Sequence, residues 1–63
     1  MMTRTTAIAC LDNNPTATFG ASVAAQLLSA LHGGDVIDWR AWVSRYHGDT
    51  LTAIKIRKMA KRV

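Results

Sequence analysis

Glutamate is absent from this chain, and Asp12, Asp35, Asp38 and Asp49 are its only acidic residues. At least three of them have a use at helix starts, so no pair of carboxylates is left over for general acid–base chemistry. Cysteine is nearly as scarce. Cys10 stands alone, which rules out an internal disulfide and suits a reducing, cytoplasmic setting. In the apolar run AIACL it reads as a small buried hydrophobe. Together with His32, His47 and the aspartates it completes the set of potential metal ligands. No two His or Cys residues fall within four positions of each other, so zinc-type spacing is missing and no metal or cofactor is expected. A thiol–imidazole pair of Cys10 with either histidine has little support, because both histidines precede glycines at helix ends. The Gly-rich stretch HGG at 32–34 lacks a following Lys-Ser/Thr and is a helix stop, not a phosphate cradle. The chain is not expected to be an enzyme.

Long apolar runs are lacking too. The uncharged stretch 15–34 contains Thr, Ser, Gln and His and falls short of a membrane span, despite the Gly20/Ala24 small-residue spacing. The N-terminal apolar run is too short for a secretory signal. A membrane partner is therefore not expected.

What is present is a 63-residue chain, room for one domain, with 49% apolar residues and a net charge of +4. A core of this size supplies only about 3–5 kcal/mol, so small chains usually gain stability from a staple or a partner. With disulfide and metal set aside, self-association as a homodimer is the expectation. The pI of about 10.0 favours acidic partners.

Three marks punctuate the chain: NNP at 13–15, HGG at 32–34 and HGD at 47–49. They predict an all-α fold: an N-terminal arm or short helix over 1–13, then a three-helix domain over 14–63 built of helix hairpins. The helices are expected near 15–32, 36–47 and 50–62. Asn14 and Pro15 would open the first, Asp35 the second, and Asp49 or Thr50 the third. Phe19, Val23, Ala24, Leu27, Leu28, Ala30 and Leu31 form a wide apolar arc, which marks a central helix or part of an oligomer interface. Val36, Trp39, Trp42, Val43 and Tyr46 form a stripe at helical spacing, for which the core is the simplest use. Ala53, Ile56, Met59, Ala60 and Val63 make the inner side of the last helix. SALHGGD and SRYHGD share a stop-and-restart formula in which histidine complements a helix end and aspartate opens the next element.

The last ten residues, IKIRKMAKRV, hold five of the eight basic residues. Lys55, Arg57, Lys58, Lys61 and Arg62 occupy the outer half of the last helix with no acid to balance them. A merely solvated helix more often mixes both signs. These five, helped by Arg40 and Arg45, are the candidate contacts to nucleic acid or to an acidic protein. The helix–Gly turn–helix over 36–62 is a poor helix-turn-helix in detail, since His47 and Asp49 fall where apolar residues are wanted. No Asn or Gln is placed to read adenine, so binding would rest on phosphates. The alternative is a small protein of the phage or plasmid accessory type that binds and blocks, or adapts, an acidic protein. It would use Trp39, Trp42, Leu51 and Ile54 as anchors beside the same basic face.

Overall fold

The computed structural model describes residues 2–60, and their order of elements is α1 (Arg4–Asn13), β1 (Thr18–Gly20), α2 (Ala21–His32), α3 (Val36–His47), β2 (Thr50–Thr52) and α4 (Ala53–Ala60). The domain is mostly helical, as expected, but it is not all-α. β1 and β2 pair antiparallel, with Thr18 opposite Thr52, Phe19 opposite Leu51 and Gly20 opposite Thr50.

The N-terminal stretch read as an arm or short helix forms α1. Thr3 caps it by accepting a hydrogen bond from Thr6 N at 3.1 Å. Pro15 ends it, because a residue before proline is pushed out of the helical region. Asn14, expected to open a helix, instead closes this one. Its Nδ2 donates to Cys10 O at 2.8 Å and its backbone N to Leu11 O at 3.3 Å. Both bonds use carbonyls that a helix end leaves without partners. The helix expected from residue 15 therefore starts six residues later, at Ala21.

The ribbon explains where α2 and α4 begin. Their first backbone donors are taken across the strand pair: Ala21 N donates to Asp49 O at 2.8 Å, and Ala53 N to Ala17 O at 2.9 Å. Gly20, at the N-cap of α2, has no side chain to cap with, so the bond to Asp49 O is what ties down the first donor of the helix. At α4 the hydroxyl of Thr52 adds a second bond, accepting from Lys55 N at 3.3 Å. The start expected at Asp49 or Thr50 is thus displaced to Ala53 by β2. Of the three expected helices, α3 matches the expectation end to end: Asp35 Oδ1 accepts from Ile37 N at 2.8 Å, and Gly48, at φ +71°, leaves the helix in the left-handed region that glycine tolerates.

α2 is the central helix and packs against every other element. Ala24, Ala25, Leu27, Leu28 and Leu31 are buried along it. Ala7 and Leu11 reach them from α1, Val43 from α3, Leu51 from β2, and Ala53 and Ile56 from α4. Burying each of the large aliphatics contributes about 1.5–3 kcal/mol. Val23, placed in the apolar arc, is instead 41% exposed, because the helix face it shares is left open.

A candidate binding face on the last two helices

Along α4, Ala53 and Ile56 point into the core and Met59 and Ala60 lie half-buried against it. Ile54, Lys55 and Lys58 are left exposed on the outer side. Arg57 sits between the two sides, half-buried, with Nη2 donating to Pro15 O at 3.0 Å. Its charge therefore also clasps α4 to the turn after α1. Lys61 and Arg62 lie outside the described residues. Arg40 and Arg45 are exposed on α3, but five residues apart they point about 140° from each other, so only one can serve a given face.

Leu51 does not belong to the surface. It is 2% exposed, since in a strand it faces inward opposite Phe19, whereas the expected helix would have turned it outward. The helix-turn-helix reading falls with the same strand, which separates α3 from α4.

The aromatic stripe of α3 is continuous. Trp39 and Trp42 meet edge-on with centroids 5.5 Å apart, and Trp42 and Tyr46 follow at 5.7 Å. His32 packs on Trp39 at 5.6 Å and His47 on Trp42 at 4.8 Å. Trp39 is fixed by its indole N–H, which donates to Gly33 O at 2.7 Å. Gly34 passes so close that a Cβ there would stand 3.4 Å from Trp39 Nε1, and its φ of +92° disfavours a side chain in any case. The two tryptophans are half-buried, as a stripe against the core should be. Tyr46 is not: it is 62% exposed, with the Arg45 guanidinium 5.7 Å from its ring centre. Sequence periodicity places Tyr46 on the stripe but says nothing of where the body beneath it ends.

Two shallow, mostly apolar grooves flank α4. One, of about 320 Å³, runs between α3 and α4 over Asp38, Trp39, Trp42 and Met59. The other, of about 210 Å³, lies between α1 and α4 over Ile8, Leu11, Leu31 and Ala60, with Arg4, Asp12 and Arg57 around it. Arg4 and Ile8 escaped the sequence reading, because the weakly patterned α1 shows no clear face. Arg4 Nη1 donates to Leu31 O at 2.7 Å, so this guanidinium serves the C-terminal end of α2. His32, assigned that task from sequence, does not perform it. Its Nε2 is buried without a partner, and burial first, then the Arg4 charge, holds its pKa below 6.5.

The paired helix–loop–strand–helix units invite a test for calcium. A twelve-residue calcium loop needs glycine sixth and a bidentate glutamate twelfth. Counted from Asp12, Ala17 stands sixth and Val23 twelfth. The loop before α4 offers only Asp49, so neither donor set fits. No cluster of three or more His, Cys or Asp residues occurs among the described residues. Nor is any helix among them long and apolar enough to cross a membrane.

The fold and the face define a small, mostly helical domain with a two-stranded ribbon and a cationic last helix. Compared with known proteins, the chain matches no family model, no curated protein and no solved structure.

Proposed function

We propose that this protein is a small basic binding module for nucleic acid, acting through the outer side of α4 without enzymatic activity. The observation that carries this reading is the lopsided charge of α4: Lys55 and Lys58 stand exposed with no carboxylate on the helix. Lys61 and Arg62 extend the cationic run in sequence, and Arg45 adds a charge from α3. With β2 in place of a tight turn, α4 is not presented as a recognition helix, so contacts to phosphates support binding better than base readout in a major groove.

Such binding weakens log-linearly with salt, with a slope of about −0.9 per phosphate neutralised on duplex and about −0.7 on single strands. Replacing Lys55 and Lys58 together by Ala should weaken the complex and flatten that slope by roughly one to two units. Absence of any complex with duplex DNA, single-stranded DNA or RNA in a low-salt mobility-shift assay defeats the reading.

A second reading is favoured by the groove between α1 and α4. Its floor of Ile8, Leu11, Leu31 and Ala60 between Arg4 and Arg57 suits an acidic, amphipathic protein segment. Ile54 and Lys58 continue that side with Asp12 and Arg57. A partner captured equally from nuclease-treated and untreated lysate, and lost with Ile8→Asp, favours this reading over the first. Self-association belongs to either reading and rests on the exposed Val23, Val36 and Ile37.

A further inference from the structure

Resting on the nucleic-acid role above, we propose that the preferred ligand is a single strand, with an unstacked base seated on Tyr46 and the backbone held by Arg45 and Lys55. Three of the chain's four aromatic residues lie on one stripe of α3, and of these only Tyr46, at its C-terminal end, is exposed. Trp39 is tied by its hydrogen bond to Gly33 and flanked by His32. Trp42 is enclosed by Trp39, Tyr46 and His47. Tyr46 ends the row with most of its surface in solvent and a guanidinium beside it. Core packing accounts for the first two rings and leaves the third without a structural use.

An exposed aromatic ring beside an arginine is what single-strand binding needs, since bases stack on both the ring and the guanidinium plane. In a duplex the base faces are already stacked on one another. One cation touches the row and a second stands on the neighbouring helix. Arg45 is next to Tyr46 on α3. On α4, Lys55 is exposed one turn before Met59, the residue through which that helix lines the groove. Asp38 lines the groove beside Trp39, two turns of α3 before Tyr46, and repels phosphates there. In this reading the strand avoids Asp38 and lies toward Tyr46 and Lys55, with a footprint of a few nucleotides.

The test titrates the full chain with oligo(dT), oligo(U) and a duplex of equal length at one salt concentration, reading tryptophan fluorescence and anisotropy of a labelled oligonucleotide. Single strands are expected to bind more tightly than duplex. Tyr46→Ala should weaken single-strand binding about 5- to 150-fold, the range that loss of one stacked base implies, and leave duplex binding unchanged. Tyr46→Phe should retain it, because stacking needs the ring and not the hydroxyl. Tyr46 is exposed, so an unaltered circular dichroism melt is expected of both variants. Equal binding of duplex and single strands, or indifference to Tyr46→Ala, overturns the inference while the phosphate reading stands. No binding of any nucleic acid overturns both.

Discussion

The imidazole of His32 sits between the Arg4 side chain and the Trp39 ring, with Nε2 shut away from water and from any hydrogen-bond partner. Protonation there is opposed first by lost hydration and then by the arginine charge, so the folded chain takes up this proton at lower pH than the unfolded chain does. Because the unfolded state binds the proton first as pH falls, the stability tied to His32 is complete above pH 6.5 and drains away between 6.5 and the lower folded value. The C2 proton of His32, followed by NMR, should titrate below 6.5. His32→Leu should remove part of the loss in urea midpoint between pH 7.5 and 5. A His32 midpoint at or above 6.5 contradicts the burial argument. The role given to this residue by its position in a last turn was that of a cation on a helix end. Position showed the terminus, but only packing reveals that Arg4, 27 residues earlier in the chain, reaches Leu31 O first. Asn14 teaches the same lesson. Its type marks a helix boundary, and the proline after it decides that the boundary is an end and not a beginning.

The ribbon of β1 and β2 is the element on which sequence and structure part. Each strand has three residues, too few for alternation to register against helical periodicity, and each runs directly into a helix. The pairing partners lie 30 to 34 residues apart, so nothing local marks them. The glycine stops and the Asp35 cap were legible because their signals are local. So was the inner side of α4, where Ala53 and Ile56 are buried as their spacing requires. On the candidate face, Lys55, Lys58 and Ile54 are legible as outward, whereas helical spacing carried through the strand turns Leu51 outward as well. Two substitutions separate these geometries. Leu51→Ala should cost about 2–5 kcal/mol, the loss associated with emptying a core site. Ile54→Ala, three residues on and 45% exposed, should cost less than about 1 kcal/mol. Urea melts followed by tryptophan fluorescence measure both. Similar small costs at the two positions would restore the helix and remove the ribbon.

As a whole the molecule is closed before any partner arrives. Its accessible surface of 4156 Å² is close to the roughly 4000 Å² that monomeric proteins of 6.9 kDa show. A body closed in this way can self-associate by docking of exposed side chains. The side chains available are unevenly placed. Val36 and Ile37 begin α3, with Ile37 74% exposed, and Val36 shares a shallow hollow with Met2, Gln26 and Ser29 of the α2 side. Val23 stands one turn before Gln26, on the same side of α2. Nothing charged lines that hollow, whereas both grooves beside α4 carry charged residues. A dimer formed there would leave α4 and Tyr46 open for ligand in both copies. Light scattering at micromolar concentration should then give twice the chain mass, with a melting temperature that rises with protein concentration. Val36→Lys combined with Ile37→Lys should yield a folded monomer that still binds nucleic acid. A monomer mass for the unaltered chain at that concentration sinks the dimer. A dimer that survives both lysines moves its interface to the α4 grooves, where it would compete with the ligand.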